Sequence, residues 1–138
     1  GRTVARVSAI KAISKAARKA LPPETAAEIT VMCHIMQEPF LKWAGFPIAG
    51  TFNRPEDWSV ADAEGLVQTG RDQQVGLVVD NLQSGGLAMS ATLAKDIGAG
   101  HVVLSNFPGG FPDTPTWQAA FEENVRRLCD VIQGAPGS

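Results

Sequence analysis

Apolar and polar residues follow two different rhythms along this chain, and these predict helices and strands. Apolar residues recur every three or four positions across 4–21, which is typical of an amphipathic helix. Four short apolar runs, at 28–33, 47–52, 75–80 and 101–104, are typical of strands covered on both faces. Further helices are predicted at 39–44, from Ser59 to about 72, from Ser84-Gly85-Gly86 through Ile97, and from Thr114 to about 132.

Residues with strong end preferences mark the limits of these helices. Pro22 and Pro23 stop the first one, because proline cannot continue a helix from its interior. Ser59 with Asp62 forms a variant of the capping box. Gly98 is the expected C-terminal cap of the helix ending at Ile97, and Thr114 is the expected N-cap of the last helix.

The order of elements is a helix followed by four strand–helix units, which predicts an α/β fold with a parallel sheet. Right-handed crossovers make 2-1-3-4 the simplest strand order, with helices on both faces in three layers. The predicted domain covers 24–133. A basic amphipathic helix precedes it at 1–23, and a disordered tail follows at 134–138.

Composition fits one domain but divides the charge unevenly. The chain has 138 residues, of which 44% are hydrophobic, enough for a single core. Residues 1–20 hold six of the twelve basic residues and none of the fourteen acidic ones, so the rest carries a net charge of −8. A basic helix can bind nucleic acid or an anionic membrane. Because this segment lacks aromatic residues, we favour a solvated helix face and expect no nucleic-acid partner.

The two cysteines, Cys33 and Cys129, lie far apart in the sequence and show no metal-type spacing. A disulfide would require the first strand to abut the last helix at Cys33. We favour two buried free thiols.

Polar residues follow three of the predicted strands, and parallel strands bring their carboxyl ends to one edge of the sheet. The first strand is followed by His34, the third ends at Asp80-Asn81, and the fourth is followed by Ser105-Asn106. Ligands of open parallel sheets bind at this edge. In the order 2-1-3-4, His34 and Asn81 face a shared crevice. We therefore predict a candidate binding edge at these five residues.

The residue types at this edge allow several roles. His34 suits a metal ligand or general base, or an ordinary hydrogen-bonded loop histidine. Asp80 suits a ligand, or a cap of the loop that follows it. His101 opens a strand and is interpreted as structural. Hydrolase signatures such as a nucleophile elbow are missing from the sequence, so we do not expect an enzyme.

The order and spacing of these features resemble the C-terminal lobe of the zinc/manganese-type substrate-binding proteins of bacterial ABC importers. In that family a strand ends in a metal-ligand His or Glu, then come a helix and a Gly-aromatic pair; Val31-Met32-Cys33-His34 and Gly45-Phe46 match. A Pro/Glu loop with a capped helix matches 54–59. In the closing helix an aromatic residue and an Asn match Trp117 and Asn124. The resemblance covers about 29–132.

The resemblance implies a solute-binding role and a ligand set. His34 would be the metal ligand, Asn81 stands where the family has a Glu, and Ser105 where it has a ligand Asp. Divalent metals prefer carboxylate or imidazole ligands, so neutral Asn and Ser imply a degraded metal site. The expected cofactor is zinc or manganese, or no metal at all, and Asp80 and Asn106 are further ligand-binding candidates.

The resemblance also implies partners and a location. Family members have two lobes with the metal between them, so a second lobe or another chain is the expected partner, together with an ABC permease. The expected location is periplasmic or extracellular.

Two other readings stay open. A flavodoxin-like domain or small enzyme would bind phosphate at the Ser84-Gly85-Gly86 turn, where backbone N–H groups precede a helix. A protein–protein interaction domain would use helix 4–21, with a homodimer as one form of it, together with loop 106–113.

Overall fold

The computed structural model describes residues 19–105 and 117–133. Within these ranges the α-helices are α1 (Pro23–Ala26), α2 (Glu38–Ala44), α3 (Val60–Asp72), α4 (Leu87–Ile97) and α5 (Trp117–Ile132). The strands are β1 (Val31–His34), β2 (Ile48–Phe52), β3 (Leu77–Asn81) and β4 (Gly100–Leu104). Three 3-10 turns, Ile35–Gln37, Pro55–Asp57 and Leu82–Ser84, follow the first three strands.

The four strands form one parallel sheet in the order β2-β1-β3-β4. This confirms the predicted fold class and strand order. The register pairs Cys33 with Val79 and Asn81 with Leu104, so the carboxyl ends of β1, β3 and β4 lie side by side.

Several predicted boundaries were wrong by a few residues, for reasons visible in the hydrogen bonds. The N–H groups of Glu28 and Ile29 bond back to α1, so β1 begins at Val31 rather than at 28. The Val75 N–H bonds to the Gly70 carbonyl at the end of α3, which delays β3 to Leu77. Pro22 and Pro23 not only stop a helix: Pro23 also begins α1, at a first position where its missing N–H costs nothing.

Other predicted features are confirmed or lie outside the described residues. The capping box is present, since Ser59 and Asp62 exchange side-chain to backbone hydrogen bonds of 3.0 Å. Gly98 caps α4 at a φ of 75°, a left-handed conformation that glycine adopts without strain. The cap at Thr114, the tail 134–138 and nearly all of helix 4–21 lie outside the described residues, although 19 and 20 are helical.

The two faces of the sheet are covered by different helices. On the first, which we call the α2/α5 face, strand side chains pack on α2 and α5; its buried members include Val31, Cys33, Leu77, Val79, Leu104, Leu41 and Leu128. On the second, the α3/α4 face, Met32, Val78 and Phe52 pack on α3 and α4. Alternation along each strand assigns His34, Asp80 and His101 to the α3/α4 face.

Both cysteines are free, as expected. Cys33 is buried in the α2/α5 face, while Cys129 on α5 is partly buried rather than fully. Burial raises the pKa of Cys33 to about 12, with Glu38 adding to the effect. Neither thiol is therefore predisposed to react. In the described part of the chain, no helix combines the length and apolar character needed to span a bilayer.

Candidate solute-binding edge

The candidate residues lie where three neighbouring strands end. His34 is the last residue of β1, Asn81 is the last of β3, and Ser105 follows β4 directly. The side chains are buried, with exposed fractions of 4% for His34, 0% for Asp80, 2% for Asn81 and 5% for Ser105. Asn106 lies outside the described residues. The edge therefore carries a buried polar layer at the top of the sheet.

His34 is held in one orientation by its own turn. Its Nδ1 accepts a hydrogen bond from the Met36 backbone N–H at 3.0 Å, and its ring meets Phe52 edge-on at a centroid distance of 5.9 Å. Burial lowers the pKa of His34, although nearby Asp80 opposes that shift. The ring is therefore neutral at pH 7. A neutral imidazole with an accepting Nδ1 carries its proton on Nε2, so a metal could bind only after this bond is given up.

Asn81 is joined to the turn that follows β1. The Gln37 Nε2 donates to the Asn81 Oδ1 at 2.8 Å, and Gln37 is itself buried. These residues are 44 positions apart in sequence, so the bond ties the end of β1 to the end of β3. The side-chain N–H of Gln37 thus occupies the Asn81 side-chain oxygen.

Ser105 is held from two sides. The Gln83 Nε2 donates to the Ser105 Oγ at 2.9 Å. The Asn124 side chain on α5 accepts from the Ser105 N–H at 2.9 Å and donates to the Ser105 carbonyl at 2.8 Å. Two hydrogen bonds to one residue's backbone fix its orientation, so Ser105 is an anchored end of β4 rather than a loose loop residue.

Asp80 carries the one buried side-chain oxygen without a hydrogen-bond partner among the described residues. Its Oδ1 accepts from the Asn81 backbone N–H at 2.7 Å, a local cap as the sequence suggested, while Oδ2 has no partner. A buried carboxylate oxygen of this kind is costly.

His101 is bonded on the same face of the sheet. Its Nε2 lies 2.8 Å from the Ser90 Oγ, which donates to the Leu87 carbonyl at 3.0 Å. Because the Ser90 hydroxyl proton is used there, His101 is the donor to Ser90. The pair therefore ties β4 to the first turn of α4 and does not activate Ser90 as a nucleophile.

The donors at this edge fit a bare divalent metal poorly. Residues 19–105 and 117–133 hold no group of three or more His, Cys, Asp or Glu residues placed to bind a metal ion. His34 Nδ1, Asn81 Oδ1 and Ser105 Oγ each already accept an N–H hydrogen bond. Apart from the Asp80 carboxyl group, the edge is thus a layer of imidazole, amide and hydroxyl groups.

The glycine turn before α4 is occupied by an acidic neighbour. A Cβ added to Gly85 would lie 3.0 Å from the Glu56 Oε1, and one added to Gly86 would lie 3.2 Å from the Glu56 Cγ. A carboxylate so close to the start of α4 repels a phosphate there. This geometry argues against phosphate binding at Ser84-Gly85-Gly86.

Sequence reasoning placed the edge but missed most of the groups that bond to it. Gln37, Gln83 and Ser90 were not singled out, and Asn124 entered only through the resemblance. Gln37 lies three residues after His34, and Gln83 lies two after Asn81. A polar side chain that close to a strand end was the available signal.

Comparisons with known proteins define the class of fold. No family model and no curated protein matches the chain. The SBP FpvC of Pseudomonas aeruginosa in complex with Ni²⁺ superposes with a TM-score of 0.75 at 15% identity, over 97% of this chain and 50% of that one. ZnuA gives 0.68 at 13% identity, over 94% and 46%.

A third solved structure agrees. A metal-free periplasmic metal-binding protein from Candidatus Liberibacter asiaticus gives a TM-score of 0.63 at 14% identity, over 91% of this chain and 46% of that one. The chain spans about half the length of these proteins. At such identities the likeness shows the fold: this chain has the fold of one half of a metal-binding substrate-binding protein, as the sequence resemblance predicted.

Proposed function

We propose that this chain is a solute-binding module, one half of a substrate-binding protein whose metal site has been degraded. The observation that carries the proposal is the layer of His34, Asn81 and Ser105, three buried polar residues at adjoining strand ends on a fold shared with such halves. Open parallel sheets bind ligands at this edge. No catalytic role is proposed for it.

The proposed loss of metal rests on the donor set. His34 is the one imidazole at the edge in the described part of the chain, and its Nδ1 is engaged by Met36. Asn81 and Ser105 add neutral oxygens where zinc and manganese favour charged ones. Proteins with this fold have been solved with Ni²⁺ and Mn²⁺. For this chain, a metal cargo would need further ligands from another segment, with Asn106 a candidate.

The proposed partner is a second lobe, supplied by the same polypeptide or by another chain, and together they would serve an ABC permease. Ile35 and Met36 support this, because they are 49% and 50% exposed directly after His34. Exposed aliphatic side chains beside a binding edge suit contact with an apposed surface. The proposed location is periplasmic or extracellular.

A thermal-shift screen tests the proposal. The probes are amino acids, sugars, dicarboxylates, polyamines, zinc chloride and manganese chloride. We expect at least one organic probe to raise the Tm, since binding to the folded state alone stabilises it. His34→Ala and Asn81→Ala should lose this shift, while Gln68→Ala on the exposed surface of α3 should keep it. The proposal is overturned if no probe raises the Tm, or if the edge variants respond like the wild type.

A further inference from the structure

We infer that Gln37 and Gln83 determine the specificity of this edge, selecting against bare divalent cations in favour of uncharged polar solutes. The inference rests on the proposed function, because it names the class of solute. Neither glutamine belongs to the ligand positions of the resemblance.

The two glutamines occupy equivalent places in the fold. Each lies in a 3-10 turn that directly follows a strand, Gln37 after β1 and Gln83 after β3. Each donates its side-chain amide to the end of the next strand in the sheet, Gln37 to Asn81 at 2.8 Å and Gln83 to Ser105 at 2.9 Å. The same device is therefore used twice, at the two positions where the resemblance has carboxylate ligands.

An amide N–H and a metal ion compete for the lone pairs of the same oxygen. Zinc binds oxygen at about 2.0–2.2 Å and favours negative charge on it. Here a cation approaching either oxygen meets the positive end of an amide dipole, which costs free energy instead of gaining it. Because Gln37 is buried and bonded across the sheet, its amide cannot turn away without losing that hydrogen bond.

The remaining groups of the layer are also held by hydrogen bonds. The His34 Nδ1 accepts a hydrogen bond from the Met36 backbone N–H at 3.0 Å. Asn124 fixes Ser105 through its backbone. The Asp80 Oδ1 accepts from the Asn81 backbone N–H, and the whole side chain is enclosed on the α3/α4 face. Amides and hydroxyls both donate and accept, so this layer matches solutes that do the same without net charge.

Replacing the two glutamine amides with carboxylates tests the inference. In Gln37→Glu/Gln83→Glu, a carboxylate replaces each amide donor beside His34, Asn81 and Ser105. Zinc affinity is measured at pH 7.5 by calorimetry and by competition with a chromophoric chelator. The matched control is Gln68→Glu, which makes the same charge change where Gln68 bonds to Asp72 on α3. Circular dichroism and Tm establish that each variant is folded.

We expect the wild type and Gln68→Glu to show no saturable zinc binding up to about 1 mM, and the double variant to bind one zinc at least about tenfold more tightly. Equal zinc affinity in the double variant and the control would overturn the inference. If the double variant does not fold, Gln83→Glu alone decides, because Gln83 is exposed. It should gain zinc affinity over Gln68→Glu, and the lack of a gain would overturn the inference.

The outcome separates this inference from the proposed function. Tight zinc binding by the wild type through His34 would overturn the specificity and leave a solute-binding role. A gain of zinc affinity in the double variant would support the glutamines as the barrier to metal binding. If, in addition, no organic probe raises the Tm in the screen, the proposed solute-binding function is overturned.

Discussion

The two faces of the sheet are built differently. Strand residues on the α2/α5 face are apolar along most of their length, including Val31, Cys33, Val79 and Leu104, but β3 ends there in the polar Asn81. On the α3/α4 face β1 and β3 run from Met32 to His34 and from Val78 to Asp80, and His101 near the start of β4 is bonded to Ser90. The first face therefore supplies most of the close packing, and the second carries the buried His34 and Asp80.

This difference shows that close apolar packing and buried polar groups occupy different parts of the same sheet. The polar side chains are concentrated at the carboxyl ends of β1 and β3, and the strand residues before them are apolar on both faces, so the fold tolerates the cost of the unpartnered Asp80 Oδ2. The helices follow the same division. α3 is mostly exposed, whereas α5 inserts Leu128 fully into the core.

The largest expected effect comes from comparing matched leucines on the two faces. Leu128→Ala should lower the free energy of unfolding by about 2–5 kcal/mol, because it leaves an enclosed cavity. Leu93 on α4 lines a surface groove of about 290 Å³ between α3 and α4, so Leu93→Ala should cost less. Urea unfolding measures both. Equal losses would contradict the difference between the faces.

Asn124 tests how firmly the edge is anchored to α5. Asn124→Ala leaves the Ser105 N–H and carbonyl without their partner, which should cost about 1–3 kcal/mol. Asn124→Asp keeps the acceptor for the Ser105 N–H and should cost less. Chemical denaturation measures the free energy of unfolding of both variants. Equal stabilities would contradict the role of Asn124 in anchoring Ser105.

Gly70 tests how closely the helices approach on the α3/α4 face. A Cβ at Gly70 would lie 2.7 Å from the Ile97 Cδ1 and 2.8 Å from its Cγ2, so Gly70→Ala should destabilise by about 1–2 kcal/mol. Gly65 on the same helix has open space, and Gly65→Ala should stabilise by about 0.5–1 kcal/mol. Thermal melts compare them. Two stabilising substitutions would mean that α3 and α4 pack loosely.

The smallest expected effect is on pH dependence. Burial lowers the pKa of both His34 and His101 below 6.5. The unfolded chain therefore binds protons first on acidification, so stability is complete above about pH 6.5 and falls as the pH drops through the folded values. His34→Gln and His101→Gln should each flatten this fall. A fall that neither variant changes would place its origin elsewhere.

The sequence predicted the framework better than its details. Alternating strands and helices with right-handed crossovers sufficed for the order β2-β1-β3-β4. The starts of β1 and β3 were misplaced because the N–H groups of Ile29 and Val75 donate to carbonyls at helix ends. The pattern of apolar residues alone does not reveal these hydrogen bonds. Hydrophobic patterning reports burial, and hydrogen-bond partners settle the boundaries.

The candidate edge shows the same limit. Strand-end position was enough to bring His34, Asn81 and Ser105 to one edge. The bond from Gln37 to Asn81 joins residues 44 apart, and its geometry depends on the register of the sheet and on the turn after β1. Such a pairing follows from the folded arrangement and not from local sequence.

The protonation of His34 tests the central claim most directly, since the proposed loss of metal requires its Nδ1 to accept from Met36. Long-range ¹H–¹⁵N NMR of the imidazoles at pH 7.5, assigned with His34→Gln, reports which nitrogen carries the proton. We expect a neutral His34 ring protonated at Nε2 and unchanged by one equivalent of zinc chloride. A ring protonated at Nδ1, with its Nε2 resonance shifted by zinc, would contradict the account.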